Sequence, residues 1–363
     1  MRIRSPWQKQ EFVAQGDTFL PEYAPKMKAL VLAEPKSPVV LQEVEKPIAT
    51  PGSVIVKIHA AALNRRDYWI TEGLYPGITT PTVLGSDGSG TVHEIGDKVT
   101  GWAPDTPVAI YPGSHWGPDP SAQSVDFSVL GMPEDGTFAE YIKVSSEQLF
   151  PKPSHLSWEE TATIPVAGIT AYRALKVQGR LQSGQRVLIT GIGGGVAVFA
   201  LQLAVASGAE VIVTSSSPEK IQRARDLGAR SGYDYQEDNW AKQLAKDHGP
   251  CDLVIDGAGG KGYADLIGIL KPGGRLVNYG STTGRPENLD LFKVFWRQLH
   301  LIGTSLGSSQ DFQALLTFLE EKAIKPIIDQ VVPLEDGSQA IAAMAKSTQF
   351  GKVALNVAEC TDR

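Results

Sequence analysis

The run Val187-Leu188-Ile189-Thr190-Gly191-Ile192-Gly193-Gly194-Gly195-Val196-Ala197 places an apolar strand directly before clustered glycines and a helix of small residues. Such a turn aims backbone N–H groups and the positive end of a helix at a diphosphate. Literal G-x-G-x-x-G is absent, because the offsets from Gly191 and Gly193 land on Val196 and Val198. The reading therefore leans on the strand–turn–helix context. About twenty residues further on, an acid would hold the ribose 2′-hydroxyl of NAD. This chain has Thr214-Ser215-Ser216-Ser217-Pro218-Glu219-Lys220 instead. Ser217 and Pro218 are explained as a helix start. Lysine in a first helical turn opposes the helix dipole unless an anion docks beside it. Ser215, Ser216 and Lys220 are thus expected to hold the 2′-phosphate of NADP(H).

The elements needed to position these groups follow from the pattern on either side. From Met27, short β-like segments alternate with Pro and Gly (Ala29–Leu32, Ser53–Ile58, Gly90–Ile95), which predicts a largely antiparallel domain. Ser157 reads as the N-cap of a helix. Predicted strands at Val187–Thr190, Glu210–Thr214, Leu253–Asp256, Leu276–Tyr279 and Leu299–Ile302 then alternate with helices such as Glu219–Leu227 and Trp240–Lys246. That alternation predicts an α/β unit with a doubly wound parallel sheet. A helix over Phe312–Glu320, Val331-Val332 and a strand over Lys352–Leu355 are expected to return to the first domain, leaving the nucleotide domain inserted.

At 363 residues, with 42% hydrophobic and 20% charged residues, the chain fits about two ordinary globular domains of about 150 residues. Thirty-four basic against 40 acidic residues give a net charge of −6, which argues against nucleic acid or anionic membrane as partner. No apolar run reaches the roughly 18 residues of a membrane span. Arg2, Arg4 and Lys9 precede no apolar h-region, and Glu11, Asp17 and Glu22 argue against a transit peptide. Two cysteines, Cys251 and Cys360, point to a reducing compartment, so a cytoplasmic protein is expected.

The order of these pieces, together with Asn64-Arg65-Arg66-Asp67, Gly73-Leu74-Tyr75-Pro76, Leu84-Gly85-Ser86-Asp87-Gly88-Ser89-Gly90 and Pro165-Val166-Ala167-Gly168-Ile169-Thr170-Ala171-Tyr172, resembles the medium-chain dehydrogenase/reductase superfamily. Within it, the zinc-independent quinone-oxidoreductase-like branch is the nearest. The resemblance implies a GroES-like catalytic domain over 27–157 and 308–363, a Rossmann domain over 158–307 and an N-terminal extension over 1–26. Zinc members of the superfamily carry a catalytic Cys-His-Cys set and a four-cysteine lobe. Here 64–67 holds no cysteine, Ser86 replaces the histidine beside Asp87, and the loop 111–137 has no cysteine. Zinc needs about four close N or S donors, so no metal is expected.

The resemblance further implies a nicotinamide cofactor held by Thr170, Gly193, Gly194, Gly195, Val196, Ser215, Ser216, Lys220, Tyr235, Gly257, Ala258, Gly280, Ser281 and Leu306. Tyr235 reads equally as a half-buried loop aromatic, and the Gly257 and Gly280 segments also suit plain turns. Gly303-Thr304-Ser305-Leu306-Gly307 matches a nucleophile elbow, but the last histidine is His300 and no triad can follow it. The implied reaction is NADPH-dependent hydride transfer to a small electrophile, a quinone or an α,β-unsaturated carbonyl. Asn64 and Tyr68 are the candidate donors to the developing oxyanion. Each has a purely structural alternative, Asn64 as a turn cap and Tyr68 as cleft wall. Two other functions stay open: an alcohol dehydrogenase-like enzyme, and a non-enzymatic structural or nucleic-acid-binding relative that keeps cofactor affinity. Relatives pair sheet edges, so a homodimer through Leu299-His300-Leu301-Ile302 is expected.

Overall fold

The computed structural model describes residues 25–357. The extension assigned to 1–26 lies outside them except for its last two residues, as does Cys360. Proline- and glycine-punctuated segments form β1 (Lys26–Leu32), β2 (Val39–Glu45), β3 (Ser53–Ala62), β4 (Thr82–Val83), β5 (Asp87–Ile95), β6 (Pro107–Ile110), β7 (Gly113–Ser114), β8 (Ser128–Val129), β9 (Tyr141–Ser145) and β10 (Leu149–Pro151). They pair antiparallel throughout. Alternate residues of β3, Val54, Val56 and Ile58, enter one core with Leu30, Val92 and Phe138. A short helix, α1 (Arg65–Thr71), leaves the end of β3 with Asn64 as its N-cap.

Ser157 caps α2 (Trp158–Ala162) through a capping box with Glu160, and α3 (Pro165–Tyr172) follows with proline in its first turn. The strands β11 (Arg186–Ile189), β12 (Glu210–Thr214), β13 (Ser231–Tyr233), β14 (Cys251–Asp256), β15 (Leu270–Asn278) and β16 (His300–Gly303) then form one sheet. They pair parallel in the order β13-β12-β11-β14-β15-β16. Helices α4 (Gly195–Ala206), α5 (Pro218–Asp226), α6 (Trp240–His248), α7 (Tyr263–Gly268) and α8 (Leu291–Trp296) connect these strands. The strand order reverses at β11, and open α/β sheets take ligands at the carboxyl ends beside such a point. Runs such as Val187-Leu188-Ile189 are continuously apolar because both sheet faces are covered.

Helix α9 (Ser309–Glu321) starts before the expected Phe312, because Ser308 and Asp311 close a capping box. It buries Phe312, Leu315 and Leu319 in the core that also holds Ile169 of α3 and Phe199 of α4. The chain then returns through β17 (Ile328–Pro333), α10 (Gly337–Ala343) and β18 (Lys352–Asn356). β18 lies antiparallel to β3, with β17 parallel beside it. The architecture is thus a GroES-like antiparallel unit with a Rossmann unit inserted. Among the described residues no helix is long and apolar enough to cross a membrane.

Candidate active site

The glycine turn sits at the carboxyl end of β11, as its residues dictate. Gly191 (φ +62°) and Gly193 (φ +121°) adopt backbone conformations that L side chains avoid. A Cβ on Gly193 would lie 2.8 Å from Lys220 Cδ, whereas one on Gly191 would meet nothing within 4 Å. Gly194 is the N-cap of α4 and provides no side-chain cap. The first-turn N–H groups over Gly195 and Val196 therefore lack an intrahelical acceptor. That cradle and the dipole of a 12-residue helix fit the diphosphate of a dinucleotide.

At the end of β12, Ser215 Oγ accepts the Ser217 N–H at 3.1 Å, and Ser217 caps α5. Tyr235, at the mouth beyond β13, donates its hydroxyl to Ser216 Oγ at 3.2 Å, so these two predicted residues meet. Lys220 goes elsewhere. Its stem runs under Gly193 and its ammonium donates to the Ser347 carbonyl at 2.7 Å. Arg65 binds the same corner, donating to the Met344 carbonyl at 2.7 Å and Ser347 Oγ at 2.6 Å. Burial lowers the Lys220 pKa, with Arg223 and Arg65 acting in the same direction against Asp329. Lys220 is therefore part of a cationic corner with Arg65 and Arg223 that sequence spacing did not reveal.

Between β14 and β15, the predicted Gly257-Ala258 and Gly280-Ser281 segments interlock. A Cβ on Gly257 would sit 2.5 Å from Tyr279 Cζ, and one on Gly280 would sit 2.9 Å from the Gly257 carbonyl. Beneath them Asp256, fully buried, accepts from Thr190 Oγ1 (2.7 Å), Ala258 N (3.1 Å), Gly259 N (2.9 Å) and Asn278 Nδ2 (3.0 Å). This carboxylate fixes both turns at the sheet's carboxyl end. Burial, with the Asp256 charge, pushes the Tyr279 phenol well above its usual range. Leu306, buried with φ +47°, follows β16, and Thr170 spends its hydroxyl proton on the Val166 carbonyl at 2.7 Å.

The catalytic-domain wall holds the largest departure from the sequence reading. Lys352, 3% exposed, donates to Leu63 O (2.6 Å), Asn64 Oδ1 (2.7 Å) and Asp87 Oδ2 (2.8 Å). Asp87 Oδ1 accepts the Val166 N–H at 2.8 Å. Asn64 Nδ2 is buried with no hydrogen-bond partner among the described residues. Asn64 is also the N-cap of α1, with its backbone N–H donating to Asp67 Oδ2 at 2.7 Å, so the expected cap role is present while its side-chain oxygen goes to Lys352. Burial raises the Asp87 pKa while Lys352 opposes the shift. Asp67, fully buried, is pushed up to about 6 by the same desolvation, against the pull of Arg66. Tyr68 lies one turn beyond Asn64 on the same helix face and packs half-buried on the catalytic-domain core.

Two family models match, "Alcohol dehydrogenase GroES-like domain" over residues 50–154 and "Zinc-binding dehydrogenase" over 195–321. A zinc-type alcohol dehydrogenase-like protein, YogA of Leptosphaeria maculans, is 36% identical over 340 residues, covering 88% of this chain and 95% of its own. This chain belongs to the medium-chain dehydrogenase/reductase superfamily. It is an oxidoreductase of that superfamily. An acryloyl-coenzyme A reductase of Sulfurisphaera tokodaii is 30% identical over 338 residues, 90% of this chain and 99% of the relative. A solved NAD-dependent alcohol dehydrogenase superposes with a TM-score of 0.86 at 34% identity, covering 91% of this chain and all of that one.

The zinc named in these family descriptions does not fit the residues present. The Asn64 oxygen is occupied by one buried cation, Lys352. Ser86 is bound by another, the Arg66 guanidinium, which also donates to the Leu130 carbonyl at 2.6 Å. Both positions where a ligand would stand are thus hydrogen-bonded to buried cations, and neither carries the imidazole or thiolate that zinc takes. Among the described residues no group of three or more His, Cys, Asp or Glu is arranged to hold a metal ion. Lys352, Arg66, Asp67 and Arg65 were absent from the sequence-derived site. Only Asp87, left unpaired beside the substituted Ser86, hinted that a cation was owed to this wall.

Proposed function

We propose that this protein is a zinc-independent, NADPH-dependent reductase of a small electrophile, an α,β-unsaturated carbonyl compound or a quinone, working as a cytoplasmic homodimer. The observation that carries the reading is Asn64. Its amide oxygen is pinned by Lys352, and its buried Nδ2 is left with donors to spend. When bound, the cofactor supplies a hydride to the electron-poor carbon. The chain's own part is to hold the acceptor carbonyl and to donate from Asn64 Nδ2 to the oxygen as negative charge collects there. Tyr68, on the same helix face, is the second candidate donor. Acceptors of this kind need no metal to polarise them, because conjugation already makes the carbon electrophilic. The acryloyl-coenzyme A reductase relative, whose named substrate is an enoyl thioester, supports this acceptor class over a plain alcohol or ketone.

NADPH is favoured by the absence of an acid among Thr214, Ser215, Ser216 and Ser217 at the end of β12, where the nearest acid, Glu219, takes the Ser217 hydroxyl proton, and by the Ser216–Tyr235 pair at the adenosine end. NAD-dependent alcohol oxidation is the second reading. It draws on the solved alcohol dehydrogenase relative and on the turn of Lys220 toward Ser347 instead of Ser216. A panel of enones, enoyl thioesters, quinones and alcohols, each followed by cofactor absorbance with NADPH or NADH and their oxidised forms, separates the two. The proposal expects turnover confined to conjugated acceptors with NADPH. Alcohol oxidation as the dominant activity would overturn it.

A further inference from the structure

The Lys352 ammonium has three protons and meets three acceptors, one each from Leu63, Asn64 and Asp87. An ammonium only donates, so the Asn64 atom 2.7 Å away is its oxygen and the NH2 group must point elsewhere. The lysine thus decides which end of a chemically near-symmetric amide is left buried without a hydrogen-bond partner. Its stem is fixed as well, since a Cβ on Gly195 of the cofactor turn would lie 2.8 Å from Lys352 Cδ. Asp87 balances the charge and is itself held by the Val166 N–H at the start of α3. Lys352 therefore lies where the return strand, the catalytic wall and the glycine turn meet.

We propose that Lys352 is a positioning residue for the reductase. It locks the Asn64 amide with Nδ2 presented as donor, and the Asp87 counter-ion lets it do so without bringing net charge to the site. The inference rests on the reductase reading for its catalytic consequence, but not for the geometry. A free amide would turn its oxygen toward the acceptor carbonyl in part of the population, where two oxygen lone pairs repel. A locked amide loses no such fraction.

The test removes the pair together, as Asp87→Asn/Lys352→Met, so that no buried charge is orphaned. The variant asparagine can still accept the Val166 N–H. Asn64→Ala is then made in the native and in the pair-less background. In the native background it should lower kcat with the best conjugated acceptor by about 10- to 150-fold. In the pair-less background, already slowed with little change in cofactor KM, the same substitution should cost about threefold or less, because the two changes remove one function. Equal factors in both backgrounds would overturn the proposal.

A readout without cofactor or turnover is the NMR order parameter of the Asn64 side-chain NH2, assigned by its loss in Asn64→Asp. It should stand near about 0.85 in the native protein and fall below about 0.6 in the pair-less variant. Lys352→Arg, which keeps charge and donors, should retain the rigid amide. An equally rigid amide without the pair, or a mobile one in Lys352→Arg, contradicts the proposal. If the amide loosens as expected but no conjugated acceptor is reduced, the reductase reading fails and the positioning by Lys352 stands.

Discussion

Lys352→Met alone should be one of the most damaging single changes away from the apolar cores. It deletes a cation with bonds of 2.6, 2.7 and 2.8 Å, and leaves Asp87, with no exposed surface, without its counter-ion. Removing one partner of a buried pair costs about 3–5 kcal/mol, mostly as the uncompensated charge. At about 2–4 °C per kcal/mol, the melting temperature should fall by about 6–20 °C. The sign of the pH effect follows from Asp87. Burial already raises its pKa, and losing Lys352, which opposes the rise, takes it higher. A group whose folded pKa is raised destabilises the fold above that value, and the penalty fades as pH falls through it. The deficit against wild type should therefore be larger at pH 8 than at pH 5, and Asp87→Asn should recover most of it. Calorimetry or circular dichroism at both values measures this. A melting temperature within about 2 °C of wild type at pH 8 would refute the reasoning.

Asp67 provides a second pH signature. Its folded pKa of about 6 lies above the ordinary 3.8, so wild-type stability should fall by about 3 kcal/mol as pH rises from about 4 through 6, and urea titrations of Asp67→Asn should show that slope removed. For the adenosine end, Ser216→Asp, which sets a carboxylate against a 2′-phosphate beside Tyr235, should weaken NADPH binding by about 10- to 150-fold and shift preference toward NADH. Calorimetric titration of both cofactors decides it, and equal losses would discard the phosphate site. Among the described residues β16 ends its sheet unpaired on one side, and α8 just before it exposes Phe292 (59%), Phe295 (64%) and Trp296 (71%). Light scattering should give a dimer that Phe292→Glu/Trp296→Glu converts to monomer, and a wild-type monomer at micromolar concentration would end that proposal.

What the sequence made legible was what local pattern encodes. The glycine turn, the parallel strands and the N-cap at Ser157 are each written in a few adjacent residues, and each stands where its neighbours required. Strand ends moved by a residue or more, as at β16, where the pairing with β15 and not the apolar run sets the bounds. The catalytic wall was half legible. Asn64 carried a signal because amide and hydroxyl stood where ligands were expected, but Lys352, 288 residues away, had none. Contacts made by a returning strand leave no trace in spacing. Lys220 was found on its helix, but its direction depends on the Ser347 carbonyl, which only the fold brings near.

The central claim is that a locked amide, and not a metal, receives the developing charge. It is tested most directly by following NADPH-dependent reduction of a conjugated acceptor before and after exhaustive chelation, with zinc content measured on the same samples. The account predicts an unchanged rate and far less than about one zinc per chain throughout. Activity that falls with loss of stoichiometric zinc and returns when zinc is restored would contradict it.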